Sequence, residues 1–160
     1  MKRFFILALI FFEFKFSFCY NLKTSGRPQV SQVKEETELR VITPNEPGIL
    51  GRVLSTLANA GINLIALCAQ AQGEKGLFYL ITSDNNLAQK CLRSLGYKVK
   101  MEKVITCEIC DRVGAGAEIG ALLGNAAIDI HYCYGTSAGL GKALLVFKTR
   151  QHKKALKTLS

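Results

Sequence analysis

The sequence predicts an α+β fold built from two tandem βαββαβ units, and three observations carry that prediction. A strand-to-helix turn at Asn45-Glu46-Pro47-Gly48-Ile49-Leu50 recurs 66 residues later around Asp111-Arg112-Val113-Gly114-Ala115. The match runs on at the same offset, with Leu57 on Leu123, Ala60 to Leu64 on Ala126 to Ile130, and Tyr79 on Leu145. A fixed period means one supersecondary unit used twice. Finally, each copy of about 65 residues is too small to bury a sufficient core alone, so the two are expected to pack together or against another subunit.

The elements follow in order. Glu38 to Thr43 alternates as a strand, with Leu39 and Val41 on one side, and ends at Pro44, which cannot donate to a ladder. From Gly48 the apolar positions Ile49, Leu50, Val53, Leu54, Leu57 and Ala58 have helical spacing, and Gly61 stops the helix. Asn45 is placed to accept from first-turn amides, and Pro47 suits the first helical position. Ile62 to Ala69 and Leu77 to Thr82 are strand-length apolar runs joined by a polar, glycine-containing loop, hence a hairpin. Asp84 or Asn85 caps a helix with Leu87, Ala88, Cys91, Leu92 and Leu95 on one face, ending at Gly96; Tyr97 to Lys103 then alternates as a strand.

This order is the split βαβ, or ferredoxin-like, unit: an antiparallel sheet with both helices on one face. In the second copy Val104 to Cys110 is the strand, Gly116 to Ala126 the helix, Ile128 to Tyr134 and Ala143 to Lys148 the hairpin, and Gln151 to Leu159 the last helix. Nothing follows that corresponds to Tyr97 to Lys103, so the second unit lacks its last strand. The edge at Ile105 to Ile109 is expected to be covered, either by a neighbouring subunit or by the extended segment Gln29 to Lys34. The expected divisions are an N-terminal extension over 1–35, a first unit over 36–103 and a truncated second unit over 104–160.

The formal charge of +9 does not mark a nucleic-acid surface. Residues 36 to 147 carry ten basic and ten acidic side chains, so the excess lies in the two ends rather than on one folded face. The six cysteines have no regular spacing and read as small buried hydrophobes in a reducing compartment, so the folded part is expected to be cytoplasmic. Cys107 and Cys110 have motif spacing but fall on opposite faces of a strand. At the N-terminus Lys2 and Arg3 precede the apolar run Phe4 to Phe12, which reads either as a signal for export or as an over-long reading frame. It is too short and interrupted to span a membrane.

The pattern Asn-x-Pro-Gly-x-Leu between first strand and first helix, followed by Ala60-Gly61-Ile62-Asn63 at the helix end, resembles the ACT domain, a family of small regulatory modules that bind amino acids. The resemblance covers residues 37 to 159 and is similar to tandem ACT proteins. It implies an effector at an interface between units, held by the turn before the first helix and the start of the second strand. By position the first site comprises Asn45, Glu46, Pro47, Gly48, Ile49 and Leu50 with Asn63, Leu64 and Ile65. The second comprises Asp111, Arg112, Val113, Gly114 and Ala115 with Asp129, Ile130 and His131. The chemistry agrees: free helix-start amides receive a carboxylate, and a glycine lets the ligand approach the backbone. The second turn departs from the pattern, with Val113 for the proline and Gly116 for the apolar residue, so the first is the primary site.

Gly114-Ala115-Gly116-Ala117-Glu118-Ile119-Gly120 mimics a dinucleotide loop, but its third glycine is misplaced and too little chain follows for a Rossmann half. With no catalytic triad, metal cluster or phosphate loop, the expected function is non-enzymatic: binding of a free amino acid by a homo-oligomer, a dimer, without cofactor, metal, nucleic acid or membrane. The alternatives are an assembly subunit that binds no small molecule and a regulatory subunit of an amino-acid biosynthetic enzyme.

Overall fold

The computed structural model describes residues 28–137, 139 and 141–160; the signal-like apolar segment lies outside them. The chain runs β1 (Val30–Pro44), α1 (Ile49–Asn59), β2 (Leu64–Gln72), β3 (Lys75–Thr82), α2 (Asn85–Ser94), β4 (Lys98–Cys110), α3 (Ala115–Asn125), β5 (Tyr132–Ser137), β6 (Lys142–Lys148) and α4 (His152–Leu159). The six strands form one antiparallel sheet in the order β2-β3-β1-β4-β6-β5. It holds two ferredoxin-like units with all helices on one face.

Two long strands belong to both units. The strands expected separately over Tyr97 to Lys103 and Val104 to Cys110 are one continuous β4. Its first half closes the first unit beside β1, and its second half opens the second unit beside β6. The sequence places the start of the folded part at residue 36, yet β1 begins at Val30, and Val30 to Glu36 pair with Ile109 to Val104. Of the two expected occupants of that edge, the N-terminal segment supplies the strand. Val30 and Val33 turn towards the helices but so does Glu35, opposite Ile105 and 3.3 Å from His152 of the last helix, while Gln32, Lys34 and Glu36 face the other way, so no apolar alternation announces it.

The repeat fixes the symmetry. Thr37 pairs with Lys103, its own counterpart 66 residues on, so this pair sits on a pseudo-twofold axis through the sheet. The offset is not gapless, however. Phe78 lies opposite Val41 and Leu145 opposite Cys107, which makes Leu145 the counterpart of Phe78 rather than Tyr79. The second hairpin therefore carries one extra residue. In the first hairpin the strands continue to a two-residue turn with Gly73 at φ 59, the geometry that suits the strand twist, where sequence suggested a longer loop. In the second, the strand begins at Tyr132, not Ile128, because Ala127 at φ 48 turns the chain and Ile128 N–H closes back on Leu123.

Each unit has its own helix-side core. In the first, Leu39, Val41, Phe78 and Leu80 of the sheet meet Val53 and Leu57 of α1 and Ala88 and Leu92 of α2. In the second, Ile105, Cys107 and Phe147 meet Ile119 and Leu123 of α3 and Ala155 and Leu159 of α4. Leu87 and Leu95, expected inward, are exposed. Truncating a fully buried leucine such as Leu80 in such a core costs about 2–5 kcal/mol.

The helix-free face is also partly buried. Tyr79 of β3 and Tyr132 of β5 have ring centroids 4.6 Å apart, although four strand spacings separate them, about 19 Å in a flat sheet. The sheet is therefore curled, and Ala66, Ile81, Val104 and Val146 form a third core inside the curl. There, fully buried Glu38 accepts hydrogen bonds from Tyr132 Oη and, at 2.6 Å, from Tyr134 Oη. Sequence reasoning missed this cluster, since Glu38 reads as the solvent-facing residue of an alternating strand.

Candidate functional site

Both helix starts are built alike. Gly48 precedes α1 with φ 86 and Gly114 precedes α3 with φ 87, the left-handed conformation in which a Cβ is strained. Ile49 N–H closes on Glu46 O and Arg52 N–H on Gly48 O; Ala115 N–H closes on Arg112 O and Glu118 N–H on Gly114 O. These bonds leave the amides of Leu50 and Gly51, and of Gly116 and Ala117, without partners among the described residues. Such orphan amides carry the positive end of the helix dipole and suit a carboxylate.

The turn side chains do other work than the sequence suggested. Asn45 does not cap α1: its Nδ2 donates to Gly73 O at 3.1 Å and its N–H to Glu74 O at 2.9 Å, tying the turn to the first hairpin. Gly48 takes the cap position and Ile49 begins the helix, so Pro47 stays in the turn. The second turn is anchored likewise. Asp111 N–H donates to Gly141 O at 2.9 Å, and Ser137 Oγ donates to the Asp111 carboxylate.

Each turn is also stapled to its helix by an ion pair six residues long, and the two staples have opposite polarity. Glu46 accepts from Arg52 at 2.8 Å, whereas Arg112 donates to Glu118. Glu46 and Arg52 are the positional counterparts of Arg112 and Glu118. The first staple is exposed, so opening it costs about 0–1 kcal/mol. Glu118 is buried, and leaving it unpaired costs more.

The two halves of each expected site do not meet within one unit. Thr43 lies opposite Gly76 at one end of β3 while Leu64 lies opposite Thr82 at the other. Asn63 to Ile65 are thus separated from the turn by the eleven residues of α1, about 16 Å at 1.5 Å per residue. The reason is the topology: a helix antiparallel to the strand before it delivers the chain to the far end of the sheet. The same separation holds between Asp111 to Ala115 and Asp129 to His131 across α3. Asp129 N–H donates to Gln151 Oε1 at 2.9 Å, His131 N–H to Lys148 O at 2.8 Å, and His131 Nε2 is 3.9 Å from the Asp129 carboxylate. Both strand starts lie near the pseudo-dyad, while the two turns lie at opposite ends of β1.

The remaining chemical candidates fall to packing. Cys107 is fully buried, and burial pushes its thiol up to about 11, so it stays protonated and unreactive at neutral pH. Among the described residues, no group of three His, Cys, Asp or Glu side chains is placed to hold a metal ion, and no helix is long and apolar enough to cross a membrane.

This arrangement recurs in solved structures. Protein BT0572 from Bacteroides thetaiotaomicron superposes with a TM-score of 0.72 at 25% identity, over 84% of this chain and 89% of that one. The regulatory subunit of aspartate kinase from Thermus thermophilus, in its ligand-free form, gives 0.60 at 18% identity over 81% and 96%. Aspartokinase III of E. coli, solved with aspartate and ADP, gives 0.55 at 16% over 86% of this chain and 34% of that one. No curated protein matches the chain in sequence. The family model for an ACT domain pair matches residues 35–159, which is all of the paired units except the start of β1, and the chain belongs to the ACT domain pair family.

Proposed function

We propose that the chain is a regulatory module that binds a free amino acid, the ligand carboxylate resting on a helix-start turn and the rest of the ligand enclosed by a second copy of the chain. The observation that carries this reading is the pair of glycine-led helix starts with unpartnered amides. A Cβ at Gly48 or Gly114 would meet nothing within 4 Å, so a ligand has room to approach. Because each turn and its strand start are held apart by a helix, antiparallel association of two copies is what sets one copy's turn against the other's strand start. Leu50 and Ile65 fit that role, being 45% and 53% exposed in the single chain; large apolar side chains left open on two such segments are the kind an interface covers.

The first turn is the primary site. Glu46 sits beside it in an exposed ion pair that opens readily, so it can receive the ligand ammonium. At the second turn Arg112 is engaged by buried Glu118, and Asp111 by Ser137. Binding at the two turns is therefore unequal. The likeness to aspartate kinase regulatory subunits supports an enzyme of amino-acid synthesis as the regulated partner, with no catalysis by the chain itself.

The test is thermal unfolding of the full chain against the twenty common amino acids, with sedimentation in parallel. A ligand at about 100 times its dissociation constant adds roughly 2.7 kcal/mol, and the bound form sediments as a dimer. Leu50→Asp, which sets a carboxylate beside the free amides, abolishes the shift. A protein that responds to no amino acid refutes the proposal and leaves the assembly-subunit reading.

A further inference from the structure

We propose that a second small-molecule site, separate from the helix-start turns although Ile65 borders both, lies on the helix-free face where the curl of the sheet brings the two units together, and that it takes a zwitterion with an apolar body. A cleft of about 370 Å³ opens there, within the size range of small-molecule sites. Its walls come from both units. Ile65 and Ile81 of β2 and β3 form one side, and Thr136 and Leu144 of β5 and β6 the other.

Its charges come in two balanced pairs. On β1, Lys34 Nζ is 2.5 Å from Glu36, and across the sheet Lys142 Nζ is 3.1 Å from Glu108. Both lysines are more than half exposed, so each pair contributes about 0–1 kcal/mol and opens at small cost. A ligand carboxylate that replaces a glutamate on one lysine, with an ammonium that takes the freed glutamate, keeps every charge partnered. A singly charged ligand leaves one charge unmatched beside the apolar wall of Ile65, Ile81 and Leu144, where an uncompensated charge is disfavoured. Thr106, from the floor on β4, and Thr136 supply neutral hydrogen-bonding groups that do not disturb this balance.

Occupancy also has a structural consequence. Ile81 belongs to the core inside the curl and Leu144 packs against it, so a ligand wedged between their strands contacts both units and favours one degree of curl over another. Linkage then requires the curl to alter the ligand's affinity in return.

The test is a titration of the isotopically labelled full chain with L-leucine and L-phenylalanine, read by amide chemical shifts. Leucine's single-charge analogues, 4-methylpentanoate and 3-methylbutylamine, serve as controls. The expected result is saturable shifts at Thr106, Thr136 and Leu144 for an amino acid. Binding of the analogues and of Lys34→Ala/Lys142→Ala is weaker by about tenfold or more, the effect of one lost charge-assisted hydrogen bond. Those lysines are exposed, so the variant keeps its fold. Analogues that bind as tightly as leucine, or no saturable shift at these three residues for either amino acid, overturn the proposal. Shifts at Leu50, Gly51, Gly116 and Ala117 report the turns separately, so each site stands or falls by its own signals.

Discussion

Replacing Tyr134 by Phe removes one of the two hydroxyls that donate to the Glu38 carboxylate inside the curl. Shape and apolar contact are kept, so the change isolates the hydrogen bond. A bond to a charged group contributes about 1.5–3 kcal/mol. A loss of about 2 kcal/mol lowers the unfolding midpoint by about 4–8 °C in a domain of this size. The pH dependence sharpens the test. Burial pushes the Glu38 carboxyl above its ordinary value of 4.5, while the Tyr132 and Tyr134 hydrogen bonds and the charge of Lys148 pull it back. A carboxyl whose folded value is raised contributes its stability fully below the unfolded value, and that contribution is lost as pH rises through the folded value. Without Tyr134 the folded value climbs further, so the deficit against wild type is smallest below pH 4.5 and reaches its full size above the raised value. Urea unfolding followed by far-ultraviolet circular dichroism at acid and neutral pH measures both effects; Glu38→Gln removes this group's pH dependence. A Tyr134→Phe deficit below about 0.5 kcal/mol at neutral pH, equal at both pH values, would mean that the hydroxyls face water and the apolar cluster alone closes the curl.

Two glycines of one segment are expected to respond with opposite signs. Gly114→Ala places a Cβ at φ 87 and costs about 1–2 kcal/mol, whereas Gly120→Ala, inside α3 with open space around its Cβ, stabilises by about 0.8 kcal/mol; denaturant midpoints decide. The N-terminal half of β1 is tested by hydrogen exchange: amides over 105–109 are protected in the full chain, and deleting residues 1–36 exposes that edge of β4, speeds exchange there and promotes self-association. Equal protection in both proteins would show that something other than this strand covers the edge.

Much of the fold is legible because local chemistry repeats. The glycine-led turns, the helical spacing of Val53 and Leu57 and the Asp84 cap, whose carboxylate accepts from Leu87 N–H at 2.9 Å, are all short-range features. The elements that escaped are those whose partners are distant. Val30 to Glu36 forms a strand because the far half of β4 has an open edge, not because its own residues alternate. The misplaced match of Tyr79 to Leu145 arose because a one-residue insertion at a hairpin tip leaves no mark until strand register is known.

The candidate site divides in the same way. Sequence named the turns and the strand starts, since carboxylate-receptive helix starts and their glycines are local. It placed them together, and topology sets them about 16 Å apart, the length of the intervening helix. The sequence by itself determined two copies of one unit, their turns and their inward faces, because those depend on neighbours within one or two helical turns. Only the tertiary structure decided that the copies share two strands about a dyad, that the sheet curls to bury Glu38, and that a charge-balanced cleft opens between the units. Each of these depends on which strand edges and side chains meet across the sheet, and that information lies in register and curvature rather than in spacing along the chain.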